Sequence, residues 1–527
     1  MLPAFQRYNN HMKNVEKLSG IVAKQESYIA HLEQKLKEKE MLVKFYEEQF
    51  RLAKHRRFGA SSEKSQYDHS QLLLFDEAET TASPAFAEPE LVEIEKHYRK
   101  AKRASGDRLP ENIPVEVVEH ELPADERDCP KCGDPLHTMG RETRREMKII
   151  PAQVKIVEHV RHIYSCRNCE KNDVQVPIVK ALVPEPVIKG SFASSEAIAH
   201  IMSQKFVMGT PLYRLEQEFQ RDGVMLSRQT MSNWVIGCAN DWLAPIYERM
   251  KADLLKREIL FTDDTTVQVL REPKKAAQSK SYMWLYRTGG DAEHSIVLYE
   301  YQSDHRPIHP MNFLRGFSGY LHADGYDGYH KLPGNIVVVG CWSHCRRKYD
   351  EALKSLPVEG REGSEALRGL QYCDKVFEIE RKLCELTPEA RCEKRQELAK
   401  PVVEEFFAWA EALKVLPKSG IGKAVHYTLS QRKYLERYLL DGRLECSNNR
   451  SERSIKPFVI GRKNWLFNNT PKGARASSII YSIIETAKEN GLNPFSYLTH
   501  VFNTAPNVDI LGDPAALESL MPWHQSG

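Results

Sequence analysis

A multidomain α+β protein is predicted from three changes of pattern along the chain. A seven-residue apolar repeat fills residues 15–50, two closely spaced cysteine pairs follow, and beyond residue 257 strand-like apolar runs replace a helical period. At 527 residues the chain is too long for one ordinary core, so several folding units are expected.

The bulk composition narrows the classes. Lysine and arginine total 75 against 72 acidic residues, a net charge of +3, so nucleic-acid affinity has to come from local clusters. The first ten residues lack a basic-then-apolar leader, and no apolar run approaches the roughly 20 residues of a spanning helix. A soluble cytoplasmic protein with no membrane partner is expected. In a reducing compartment the 11 cysteines do not form a disulfide framework, and closely spaced pairs point to metal.

Within residues 1–65, Val15, Val22, Ile29, Leu36, Val43 and Phe50 recur every seventh position, with Leu18, Leu32 and Tyr46 on the companion seam. This is a coiled-coil heptad, interrupted at Gln25 and Lys39, and it predicts a homodimer or higher oligomer; an amphipathic helix packed on its own domain is the alternative. Arg51, Lys54, His55, Arg56 and Arg57 follow, a phosphate contact or a solvated helix end, and Gly59 stops the helix. Residues 66–107 turn acidic and aperiodic, as a flexible linker does.

In residues 108–185, Cys129, Cys132, Cys166 and Cys169 offer four thiolates for one structural Zn2+. The gap between the pairs is longer than in an ordinary zinc ribbon, and strands at 148–159 and 162–165 are expected to fill it as a hairpin. Residues 186–250 read as a helix-turn-helix: a helical period to Phe219, a break at Asp222-Gly223-Val224, and Ser227 as cap of a second helix. Arg228, Gln229, Ser232 and Asn233 on its exposed face are candidates to contact base edges of double-stranded DNA; a plain helical hairpin is the competing reading.

Residues 251–355 carry strands at 258–270, 281–287 and 295–301, a helical stretch near 310–315, strands at 319–323 and 335–340, and a helix from Ser343. That order predicts a ribonuclease-H-like α/β catalytic core, interrupted by a helical insertion at 356–439, resumed at 440–490 and followed by a C-terminal tail at 491–527. Asp263 or Asp264 on the first strand and Asp324 at the end of the fourth come together in such a core. Paired carboxylates tolerate one another when a cation sits between them, and Mg2+ suits carboxylates, water and phosphate oxygens. Glu452 supplies a third acid, on about two helical turns that Pro457 is expected to end. Glu445 and Glu485 are rivals, but Glu485 lies in the packing stretch Ile479, Ile480, Ile483 and Ile484. Arg453, Lys456, Arg462 and Lys463 form a cationic strip for a phosphodiester backbone.

Asn448 to Phe467, His322-Ala323-Asp324-Gly325-Tyr326 and Cys341-Trp342-Ser343-His344-Cys345-Arg346-Arg347-Lys348 resemble the insertion-sequence-66 family of bacterial transposases. The cysteine pairs, Leu226-Ser227-Arg228-Gln229-Thr230 and Asn490-Gly491-Leu492-Asn493-Pro494-Phe495 extend the likeness over almost the whole chain. The resemblance implies a transposase with catalytic Asp263, Asp324 and Glu452, two divalent cations (Mg2+ or Mn2+) at those acids, transposon-end and target DNA as partners, accessory proteins of the same element, and a place at the bacterial nucleoid. Asp264 stands where that family usually has Glu, and Cys345 replaces a small residue. Strand alternation lets only one of Asp263 and Asp264 face the cleft, and the resemblance selects Asp263. Arg346 and Arg347, with His344, are further candidates to orient DNA; a packed helix surface is the competing reading.

Two other classes compete. A sequence-specific DNA-binding regulator with a catalytically silent core explains the helix-turn-helix but gives no reason for a carboxylate triad. A coiled-coil scaffold leaves the strand-rich core unexplained.

Overall fold

The computed structural model describes residues 181–525 continuously, residues 154–165 and 178–180, and scattered positions between residues 22 and 50. Those scattered positions are helical. Val22, Ile29, Leu32, Leu36, Val43, Tyr46 and Phe50 are 47% to 72% exposed. The basic cluster at 51–57, the linker at 66–107 and the four paired cysteines lie outside the described residues.

Strand β1 (Ile163–Ser165) pairs antiparallel with β2 (Ile178–Lys180), Ile163 opposite Lys180. This corrects the expected hairpin: residues 154–162 carry no strand, and the partner of β1 comes from beyond the second cysteine pair. Residues 154–162 are exposed throughout, so their apolar side chains have no face to bury, and burial is what makes such a run a strand.

Three helices follow, Ser195–Phe206, Leu212–Arg221 and Arg228–Cys238. Ser194 and Ser227 accept from the backbone of Ala197 and Thr230, satisfying amides that helix starts leave open. Gly223 takes the left-handed conformation at the turn, with φ of 81°. Ile198, Ile201, Met202, Leu215, Met231 and Trp234 are buried at helical spacing. The third helix runs on through one π turn, Ala239–Leu243, into Ala244–Leu254.

The core sheet has five strands: β3 (Ile259–Gln268), β4 (Lys280–Thr288), β5 (Val297–Gln302), β6 (Gly319–His322) and β7 (Ile336–Val339), in the order β5-β4-β3-β6-β7. β3, β4 and β5 are antiparallel neighbours, whereas β6 and β7 run parallel to β3. Gly319 opens β6 with φ of 151°, and a Cβ there would sit 2.2 Å from the Glu258 carbonyl oxygen; only glycine allows β6 this close to β3.

Helix Trp342–Ser355 follows β7, and the inserted segment folds as Glu365–Leu383, Pro388–Lys394, Lys400–Ala412 and Gly420–Leu435. Trp342, Tyr349, Phe406 and Phe407 share one aromatic core between them. The chain then returns in helices Asn449–Trp465 and Pro471–Glu489. Pro457 does not end the first of these but lies inside it, which corrects the expected two-turn helix. Proline removes one backbone bond, yet Ile455 and Phe458 are buried on either side, and Gly461 admits the Tyr481 hydroxyl to 2.4 Å of where a Cβ would stand. Packing outweighs the local break. The segment expected as a tail folds into helix Pro494–Thr504, whose Tyr497, Leu498, Val501 and Phe502 are buried in the core shared with Ser195–Phe206.

Candidate functional site

Strand alternation separates the two neighbouring aspartates. Asp263 lies opposite Leu285, which lies opposite Tyr299; Asp264 lies opposite Trp284, which lies opposite Glu300. Opposed residues share a face of the sheet. Helix Asn449–Trp465 covers the Asp263 face: the Tyr299 hydroxyl donates to the Ser454 carbonyl, and Tyr299 packs on Phe458. Arg287, on the same face, donates to the Ser454 hydroxyl and pairs with Glu489 at 3.0 Å. Asp264 points the other way and meets His305, 2.9 Å from its carboxylate.

The parallel register carries Asp324 to Asp263. Phe261 pairs with His322, their rings stacked at 4.2 Å; Asp263 stands two residues further along β3, and Asp324 two residues beyond His322, the last residue of β6. The Tyr326 amide donates to the Asp324 carboxylate at 3.0 Å. Glu452 arrives from the helix. Asn448 Nδ2 and Ser451 Oγ both donate to the Thr262 carbonyl oxygen, at 2.8 and 3.4 Å, so the first turn of this helix is bonded to the backbone beside Asp263.

The charges of these acids act on one another. Burial, then the Asp324 charge and the Glu452 charge, hold the Asp263 carboxyl well above the usual carboxylate range. Burial first, with Asp264 and Glu452 adding to it, pushes Asp324 up to about 6, against the Tyr326 amide and His305. Carboxylates raised by one another's charge have a use for a cation, and an all-oxygen donor set matches a hard one. Asp263, Asp324 and Glu452 therefore fit a divalent metal of the Mg2+ class.

Glu452 meets two side chains from helix Trp342–Ser355: Arg347 lies 3.5 Å from Oε2, and His344 Nδ1 faces Oε1 at 3.6 Å without a hydrogen bond. Among the described residues, Cys341, His344 and Glu452 also bring three ligand atoms within 4.8 Å of one another. The rival acids are engaged elsewhere, Glu445 with Arg450 at 2.7 Å and Glu485 with Lys488 at 2.9 Å.

The candidate DNA contacts fall into two groups. Arg228, Gln229 and Asn233 are exposed on helix Arg228–Cys238, with Ser232 half-buried; Gln229 donates to Asn233 at 3.1 Å, and the Arg228 guanidinium lies 3.8 Å from Glu216. On the core, Arg453 and Lys463 are exposed, while Arg462 donates to Thr265 and Thr266 of β3 at 3.2 and 3.3 Å. Arg346 is engaged with Asp374 of the insertion at 2.6 Å. His305 is a residue that sequence reasoning missed. It stacks between Tyr282 and Tyr326, at 4.3 and 4.0 Å, and pairs with Asp264, yet in the sequence it is one histidine in a polar loop.

A family model described as "Transposase IS66 family" matches residues 190–476, more than half the chain. The chain belongs to the IS66 transposase family. Three further IS66 models match other parts: "zinc-finger binding domain of transposase IS66" at 126–170, "IS66 C-terminal element" at 482–523, and "Transposase C of IS166 homeodomain" at 46–118. The zinc-finger match spans Cys129, Cys132, Cys166 and Cys169, and the longest match contains Asp263, Asp324 and Glu452. Among similar proteins of Sinorhizobium fredii, "Uncharacterized protein y4qI" is 30% identical over 477 residues, 87% of this chain and 84% of its own. "Uncharacterized protein y4jD" is 29% identical over 431 residues, 79% of this chain and 81% of its own. No helix among the described residues is long and apolar enough to cross a membrane.

Proposed function

We propose that this IS66-family chain is a DNA transposase that binds the terminal inverted repeats of its element, cleaves the DNA there and joins the freed end to target DNA. The observation that carries this reading is the meeting of Asp263, Asp324 and Glu452, from β3, the end of β6 and a returning helix, in mutual electrostatic reach. The core is read as ribonuclease-H-like, supported by three antiparallel strands followed by two parallel ones on the other side of β3.

Asp263, Asp324 and Glu452 are the residues that would hold two Mg2+ or Mn2+ ions, which when bound supply a water nucleophile at neutral pH and charge stabilisation at the scissile phosphate. Arg347 orients Glu452. Arg462, Arg453 and Lys463 hold the phosphodiester backbone, a contact that sets affinity rather than sequence. Arg228, Gln229, Ser232 and Asn233 read base edges at the element's ends. Water first breaks the strand and leaves a 3′ hydroxyl. That hydroxyl then attacks a target phosphodiester in line, forming a new P–O bond as the target's own 3′ oxygen leaves, so no external energy source is consumed. The four-cysteine module holds one structural Zn2+, and the N-terminal helix pairs two copies so that both ends can be held together.

Labelled DNA carrying the element's own ends, incubated with the purified chain with and without Mg2+, tests the proposal. Cleavage that requires the cation and is lost in Glu452→Gln, with end binding retained, is expected. Equal cleavage by Glu452→Gln contradicts it.

A further inference from the structure

Beside the oxygen-only triad lies a cluster with different chemistry. Cys341 sits at the start of helix Trp342–Ser355, and its Sγ accepts the Asn448 backbone N–H at 3.1 Å. His344 stands three residues on, so both side chains lie on one side of the helix. Its Nδ1 is buried, makes no hydrogen bond and faces Glu452 Oε1 at 3.6 Å, too long for a good hydrogen bond. Arg347 approaches the other carboxylate oxygen, Oε2, and leaves Oε1 on the Cys341 side.

We propose that Cys341 Sγ, His344 Nδ1 and Glu452 Oε1 form a site for one thiophilic divalent cation of the Zn2+ class, and that its occupancy draws Glu452 away from Asp263 and Asp324. The ligand atoms lie within 4.8 Å of one another. Tetrahedral zinc holds such atoms about 3.3–3.6 Å apart, so side-chain rotations of about 1 Å close the site. A sulfur, nitrogen and oxygen set favours Zn2+, Co2+ or Cd2+ over Mg2+, and three protein ligands leave a fourth position open. Binding releases the Cys341 thiol proton to solvent. Zinc then acts as an inhibitor that competes for the third acid. This last consequence rests on the reading of Glu452 under Proposed function; the binding itself does not.

The full chain, purified with its four-cysteine module filled by zinc, is titrated with Co2+ and followed by near-ultraviolet thiolate-to-cobalt absorption. One further equivalent showing that band is expected in the wild type and in Asp263→Asn. The band is expected to be lost in Cys341→Ser, and His344→Asn is expected to weaken Co2+ binding about tenfold or more. Circular dichroism of each variant shows whether it is folded, and His344→Asn decides the matter if Cys341→Ser is not. A wild type with no band beyond that of Cys341→Ser, or a His344→Asn chain that binds Co2+ as tightly as wild type, overturns the site. If the band is present but micromolar Zn2+ leaves Mg2+-dependent cleavage untouched, the competition with Glu452 is overturned. If no cleavage is seen under any condition, it is the transposase reading that fails, while the cobalt band still decides the cation site.

Discussion

Asn448 Nδ2 donates a 2.8 Å hydrogen bond to the carbonyl oxygen of Thr262, the residue immediately before Asp263. Asn448 is wholly buried at the cap of the helix that carries Glu452, so this bond ties two of the three acids through backbone. Asn448→Ala leaves the Thr262 carbonyl with only the longer Ser451 contact. A loss of about 1–3 kcal/mol in stability is expected, as for a buried acceptor losing its donor. Urea unfolding measures it, and cleavage should fall while end binding remains.

Arg395 is a second tie, at the far end of the same connection. It is 1% exposed, binds both Glu380 carboxylate oxygens at 2.9 and 2.6 Å, and donates to the Tyr438, Asp441 and Leu444 carbonyls at 2.8 Å each. These carbonyls belong to the segment that leads back from the insertion toward Asn448. Glu380→Ala strands a buried guanidinium, which costs about 3–5 kcal/mol. Arg395→Lys keeps the charge but cannot reproduce the fork, so it is expected to be destabilising too. Denaturant midpoints check both.

The acids predict a pH-dependent response to metal. Burial and neighbouring charges push Asp324 up to about 6 against 3.8 for an ordinary aspartate, and Asp263 is raised as well. In the cation-free chain the folded state therefore keeps protons that the unfolded state releases, and stability falls as pH rises from about 4 through about 6. A divalent cation offsets that loss only where the carboxylates are ionised. Mg2+ should raise the melting temperature more at pH 8 than at pH 5. A shift as large at pH 5 contradicts the assignment.

Much of the core was legible because its strands are short apolar runs bounded by turns. Runs read at 258–270, 281–287 and 295–301 became β3, β4 and β5, shifted by a few residues at most. Ser227 caps its helix as its position suggested. Pro457 misled, because local propensity says where a helix is costly and only the partners of Ile455 and Phe458 say that packing makes up the cost. The choice between Asp263 and Asp264 was invisible to alternation alone. The family resemblance favours Asp263; in the fold Asp263 lies opposite Leu285, which lies opposite Tyr299, beneath the returning helix. His305 reaches Asp264 only through the fold, across 41 positions of chain, and no spacing announces it.

For Cys129, Cys132, Cys166 and Cys169, the IS66 zinc-finger match supports a metal role. Freshly purified protein should carry about one zinc per chain, as expected of a closed four-thiolate site. Cys132→Ser should lose it, and chelation should unfold the module while leaving the core intact. Elemental analysis and limited proteolysis measure these outcomes.

The gathering of Asp263, Asp324 and Glu452 around shared cations is tested most directly by locating Mn2+ in crystals of the chain bound to its end DNA, using anomalous scattering. Two peaks are predicted, bounded by those carboxylates and about 4 Å apart. Anomalous density elsewhere, with the three acids holding no ion, contradicts it.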